Sequence, residues 1–248
     1  YLKHRALLLS MLDEPAASAH ALHTLAAVAL ASPPTGLDLL AHFESSGLLA
    51  TVAQACDKPG HPAAAINALA ALVIALLRLH PRELILSSAH RRAVGATLRH
   101  VARLTSVMQV ELLATLRTHV LEHEAVPLSG KLVVCNHAAL HRLAPLLASR
   151  GSEAARVCHG FLLRVADVHS LAGRDAPSHR PSPSNVDALT QLLLGLQPAV
   201  DLRQQQVVLA VLRAVPRLRA AYMRGKGDSG WPEPEPSCAW VATMAYTT

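Results

Sequence analysis

The chain has 248 residues, 51% of them hydrophobic but only 3% aromatic, and carries 23 basic against 17 acidic side chains for a formal charge of +6 at pH 7. The apolar share rests on Ala, Leu and Val, which suit close-packed helices and argue against a sheet-dominated fold. A moderate basic excess favours acidic partners without demanding nucleic acid, and four dispersed cysteines, Cys56, Cys135, Cys158 and Cys238, indicate neither a disulfide framework nor a four-ligand zinc site.

In chain order, residues 2–12 and 16–31 are predicted as a first pair of helices, interrupted at Asp13-Glu14-Pro15. Ser32-Pro33-Pro34 is expected to stop the second of them and Thr35 to cap the next. A short helix over 37–44 follows, then a break at Ser45-Ser46-Gly47 and a helix over 48–56. After a turn at Asp57-Lys58-Pro59-Gly60-His61-Pro62, a long apolar helix is expected over 63–80, closed by Pro81. Its apolar run from Ala63 to Leu77 is about three-quarters of the ~20 residues a membrane span needs and contains Asn67, so it is expected to be a buried helix.

Further along, Leu98, Val101 and Leu104 precede a turn near Thr105-Ser106, and 110–121 forms the next long helix. Pro127-Leu128-Ser129-Gly130 is expected to break the chain before a helical unit over 131–171. A Pro/Ser-rich stretch, 173–185, lacks apolar periodicity and is expected to be an exposed loop. Helices over 186–196 and 202–214, parted by Gln197-Pro198, complete the pattern, with Pro216 bending or ending the last one. From Gly225 onward helical patterning is lost, and 223–248 is expected to be an irregular, disordered tail. The chain begins with Tyr1 rather than Met, which leads us to expect a piece of a longer protein.

An apolar pair recurs through these elements: Leu22/Leu25, Leu69/Leu72, Leu113/Leu116, Leu162/Val165 and Leu209/Leu212, at intervals of 44–49 residues. Fixed spacing of this length is the mark of stacked helical units. The clearest unit has Ser46-Gly47-Leu48-Leu49, a polar turn, and Ala63-Ala64-Ala65-Ile66-Asn67-Ala68-Leu69-Ala70-Ala71-Leu72. In these residues it resembles the armadillo repeat, with the HEAT repeat nearly as good a match. Leu143-Ala144-Pro145-Leu146-Leu147 and Ala154-Ala155 through Val165 repeat the scheme without its Asn. The resemblance covers residues 1–222 and implies an all-α, right-handed α-solenoid of about five units, at 1–34, 35–81, 82–126, 127–172 and 186–222. It also implies that proteins, or sometimes nucleic acids, bind on a concave face.

Candidate chemistry is sparse. His119-Val120-Leu121-Glu122-His123 spells H-x-x-E-H, an inverted zinc-protease motif, but no third ligand or α/β scaffold accompanies it. A zinc-dependent hydrolase built on His119, Glu122 and His123 is therefore a remote alternative, and the two imidazoles are expected on a polar face near a helix end. Cys135 with His137, and Cys158 beside His159, lack a completing pair. No phosphate-binding glycine motif or nucleophile elbow occurs. No catalytic residue, cofactor, metal or small-molecule substrate is therefore indicated. Ser182-Pro183, beside Arg180, is a candidate phosphorylation site in the loop.

All but four of the basic residues are Arg, and basic residues gather at Arg91-Arg92-Arg99-Arg103 and again at Arg213-Arg217-Arg219-Arg224-Lys226. From these runs Arg92, Arg99, Arg103, Arg213 and Arg217 are the candidate partner-binding residues, since stacked rigid helices present side chains with little ordering entropy. The expected function is that of a non-enzymatic intracellular scaffold, nuclear or cytoplasmic, whose favoured partner is an acidic protein. The alternative is a nuclear, nucleic-acid-associated solenoid of the ribosome-assembly or chromosome kind, using the same arginines on phosphates. Scarce aromatics disfavour base stacking.

Overall fold

In the computed structural model the described residues are 7, 10–13, 15–58, 60–135, 140–143, 145–146 and 152–175, and among them every regular element is helical. A 3-10 turn at Met11–Asp13 precedes α1 (Pro15–Ala31), α2 (Pro33–Ser46), α3 (Leu48–Cys56) and α4 (Ala63–Leu79). Next come α5 (Pro81–Leu86), α6 (Ser88–Arg99), a 3-10 turn at Val101–Arg103, and α7 (Ser106–Leu116). A π turn (Arg117–Leu121), α8 (Leu128–Cys135), a 3-10 turn at Leu140–Leu143 and α9 (Glu153–Asp175) follow.

The prolines start helices as well as stopping them. Pro15, Pro33 and Pro81 each open a helix, where a missing N–H costs nothing and the fixed φ is already helical. The gap expected between 31 and 37 therefore shrinks to Ser32, extended at φ −147°. Ser32, not Thr35, holds the cap position of α2, and the Thr35 hydroxyl donates to its Oγ at 2.9 Å. Likewise Leu128, Ser129 and Gly130, expected as a breaker, form the first turn of α8, and Pro127 O accepts from the amides of Gly130 and Lys131.

Gly47 does end a helix as expected. At φ +65° it donates its N–H to Phe43 O at 3.0 Å, a left-handed closure that β-carbon-bearing residues resist. The long helix expected over 110–121 instead starts at Ser106, because Thr105 Oγ1 caps the Met108 amide while the Thr105 amide donates to Asn67 Oδ1 at 3.0 Å. It changes to a π turn at Arg117, closed by Glu122 N–H on Arg117 O at 2.9 Å.

Two series of neighbours run through the molecule. In one, α1 packs on α4, α4 on α7, and α7 on α9; in the other, α3 packs on α6, and α6 on the Leu140–Leu143 turn. Helices α2 and α3 also touch α4, which joins the two series. The recurrent apolar pairs lie within the first series: Leu22, Leu25, Leu69, Leu72, Leu113, Leu116, Leu162 and Val165 are all fully buried in one continuous core. Periodicity in the sequence is thus the stacking surface of successive long helices. The fifth pair, Leu209/Leu212, lies outside the described residues, as do the 186–222 unit, Ser182 and the 223–248 tail. Helix α9 itself carries on through Gly173-Arg174-Asp175.

Candidate functional site

The arginines of α6 line an open groove of about 480 Å3 whose opposite wall is α3. Ala50, Ala53, Gln54 and Asp57 come from α3 and its C-cap, Arg91, Arg92 and Arg99 from α6, and Val133 from α8. Arg92 and Arg99 are seven residues apart, two helical turns, and so share a face. α6 turns its small side toward the core, burying Ala93, Val94, Ala96 and Leu98, which leaves its long cationic side chains to the groove and solvent.

The three guanidiniums are not equivalent. Arg99 forks onto Asp57, with Nη2 to Oδ2 at 2.6 Å and Nε to Oδ1 at 3.2 Å, while His100 Nε2 meets Oδ1 at 3.0 Å. Burial pushes the Asp57 carboxyl up, but hydrogen bonds and charge from Arg99 and His100 outweigh it and hold the group below the usual carboxylate range. Arg103, on the adjoining 3-10 turn, donates to His61 O at 2.5 Å. Arg92 is exposed and Arg91 half-buried, and neither forms an ion pair among the described residues.

Of the five residues proposed from sequence, then, the structure brings Arg92 and Arg99 into one groove and ties Arg103 to the neighbouring turn. Arg213 and Arg217 lie outside the described residues. Sequence reasoning passed over Gln54, Asp57 and the contribution of Arg91. Asp57 was findable: it stands 42 residues before Arg99, close to the 44–49-residue interval of the apolar pairs, and its carboxylate meets that guanidinium.

The H-x-x-E-H residues do not converge. His119 sits in the π turn; Glu122 Oε1 accepts from Arg117 Nε at 2.8 Å and from Arg164 Nε at 2.7 Å; His123 Nδ1 accepts from the Ala125 amide at 3.2 Å. The Arg117 bond, with help from Arg164, holds the Glu122 carboxyl below its usual range, and two guanidiniums occupy the motif's carboxylate. Among the described residues no three His, Cys, Asp or Glu side chains gather around a possible ion. The remote zinc reading is corrected accordingly. Cys56, Cys135 and Cys158 are buried thiols; burial pushes Cys56 up to about 11 and Cys158 to about 12, and raises Cys135 as well. A thiol raised this far is a poor nucleophile and a poor metal ligand. Among the described residues no helix is long and apolar enough to cross a membrane.

The family described as Npa1, ribosome 60S biogenesis N-terminal, matches residues 68–243, more than half of the chain. The chain belongs to that family. The Npa1 match takes in α5 to α9 and the arginine wall of the groove, whereas Gln54 and Asp57 on the α3 wall precede it. No armadillo or HEAT family matches, so the Npa1 assignment stands beside a helical fold whose superfamily is a resemblance only. No curated protein and no solved structure matches the sequence.

Proposed function

We propose that this chain is a non-catalytic assembly factor of the large ribosomal subunit, nuclear in location, that holds pre-ribosomal RNA through the arginine groove between α3 and α6. Membership of the Npa1 family carries the reading, because its description names 60S biogenesis. It moves the ribosome-assembly alternative ahead of a general scaffold for acidic proteins. The groove supplies the chemistry: Arg91 and Arg92 are uncommitted to carboxylates, and Arg99 is held rigid by Asp57. Guanidinium forks suit phosphate oxygens. Among the described residues no aromatic side chain lines the groove, so contact is with the sugar-phosphate backbone and RNA shape rather than stacked bases.

The two series of helix neighbours and the buried apolar pairs support a right-handed solenoid of armadillo/HEAT-like units over 1–222, with the groove on its surface. Arg103, Arg213 and Arg217 are further candidate phosphate contacts in this reading.

A gel-shift with a structured RNA at near-physiological salt tests the function. Reversal of Arg91 and Arg92 to Glu should weaken binding by at least about tenfold and flatten its salt dependence, since each phosphate no longer neutralised removes about one counterion from the slope. Unchanged affinity in the double reversal would remove the groove from the RNA surface. If the double reversal abolished binding of an acidic peptide instead, the protein-scaffold reading would be restored.

A further inference from the structure

A second open groove, of about 510 Å3, lies between α7 and the start of α9 and has the opposite character. Among the described residues its lining includes Ala102, Val107, Val110, Pro145, Leu146 and Ala154, and the ionisable ones are two carboxylates, Glu111 and Glu153, with no cation. Val107 is 67% exposed, the most exposed large hydrophobic among the described residues. A β-branched side chain with little rotamer freedom loses little on being covered.

The two carboxylates remain open to a further cation. Glu111 meets Arg78 only at 3.8 Å, and Glu153 bonds Arg156 at 3.2 Å in a pair about two-thirds exposed. Such surface pairs hold weakly. A carboxylate can accept more than one guanidinium, and Glu122 does so here with Arg117 and Arg164.

We propose that this groove docks a segment of a protein partner that sets an apolar side chain against Val107 and reaches Glu111 and Glu153 with Lys or Arg. Charge complementarity selects this occupant: a phosphate backbone would meet two carboxylates, and an acidic peptide likewise. The surface therefore stands apart from the arginine groove, and the chain offers one face to anions and another to cations. One factor can then hold RNA and a basic protein segment together.

The probes are three short labelled peptides, one Leu/Arg, one Leu/Glu and one Ser/Arg, titrated by fluorescence anisotropy into the full chain. The Leu/Arg peptide should bind at least about tenfold more tightly than either control, and Val107→Asp should remove most of that preference. Glu111→Gln with Glu153→Gln should reduce it by a smaller factor, with an unchanged thermal melt for both variants. Equal binding of the Leu/Glu peptide, or indifference to V107D, overturns the proposal. So does self-association that V107D abolishes, which would make a second copy the occupant, or RNA binding that V107D abolishes. The Arg91→Glu/Arg92→Glu variant should keep the peptide preference, so failure of the RNA reading and failure of this one are separable.

Discussion

Asp57 and Arg99 are joined by a two-point ion pair across 42 residues of chain, and Glu122 and Arg164 are joined across the same separation. In each case a carboxylate after one helix takes an arginine from a later element, plus a second nitrogen partner near by: His100 for Asp57, Arg117 for Glu122. His80 Nε2 meets Pro33 O, 47 residues away, and the Thr105 amide donates to Asn67 Oδ1, 38 residues away, two further long-range polar bonds. Packing of the long helices forms the core, while these bonds tie together elements far apart in the chain.

Because Asp57 and Arg99 are each more than a third exposed, their coupling is small. A double-mutant cycle on Asp57→Ala and Arg99→Ala, followed by urea unfolding, should give a coupling of about 0.5 kcal/mol. A coupling indistinguishable from zero would show the fork to be without energetic weight. In RNA binding, Arg92→Ala should weaken the complex more than Arg99→Ala, since Arg99 already commits its fork to Asp57.

Glu122 gives a pH signature. Its carboxyl is held below the model-compound value of 4.5 by Arg117 and Arg164, so the native state releases that proton more readily than the unfolded one. The resulting stability is present above 4.5 and is lost as pH falls through the depressed value. Glu122→Gln should flatten the stability slope in that acid range, measured by urea unfolding at a series of pH values. It should also cost about 1 kcal/mol at neutral pH by giving two guanidiniums a neutral amide oxygen in place of their shared carboxylate. An unchanged acid slope would mean that another carboxylate dominates.

The apolar pairs made the long helices legible from sequence, because burying one face of a stacked helix demands apolar residues at helical spacing whatever the partner. Less legible were the helix starts. Pro33 and Pro81 carry the same breaker signal whether they end one helix or begin another, and only the next residues' packing decides. The arginines of α6 were visible as a run, but their inequality was not. Arg99 is spoken for because Asp57 comes from a different helix end, 42 residues away, a relation that local spacing cannot express. Glu122 was drawn toward metal chemistry by its flanking histidines, whereas its actual partners, Arg117 and Arg164, stand five residues before it and 42 after it.

Gly160 marks where α9 passes beneath Arg117. A β-carbon there would fall 2.8 Å from Arg117 Nη1, the far end of a flexible side chain. Gly160→Ala gains helix propensity of up to about 1 kcal/mol but displaces the guanidinium that holds Glu122. In wild-type background the two effects should nearly cancel. In an Arg117→Ala background the same substitution should stabilise by about 0.5–1 kcal/mol in urea unfolding. Equal effects in both backgrounds would show that Arg117 yields freely.

Within the core, Leu69 and Leu72 are fully buried on α4, the helix that contacts both α1 and α7. Leu69→Ala should cost about 2–5 kcal/mol, measured as a lowered urea midpoint. Leu30→Ala on α1, where the side chain is 49% exposed, should cost well under half as much. Comparable losses would contradict the assignment of the repeated pair as the stacking surface.

His90 is buried on α6, with Nε2 against Leu40 O at 3.1 Å and no hydrogen-bond partner for Nδ1. A carbonyl accepts, so Nε2 carries the proton in the neutral ring and Nδ1 is the buried acceptor. Burial lowers its affinity for a second proton below the ordinary 6.5, outweighing Glu44 and the Glu83 and Leu40 carbonyls, which favour the charged ring. The unfolded chain therefore binds a proton at a pH where the native one does not. Stability should be full above about 6.5 and decline as pH falls from there through the lowered folded value. His90→Gln keeps an amide donor for Leu40 O and cannot take up that proton. It should remove much of the decline, while His61 and His119, lowered in the same direction, leave a residual slope. Thermal melts of the two proteins between pH 7.5 and 5 make the comparison, and parallel pH profiles would acquit His90.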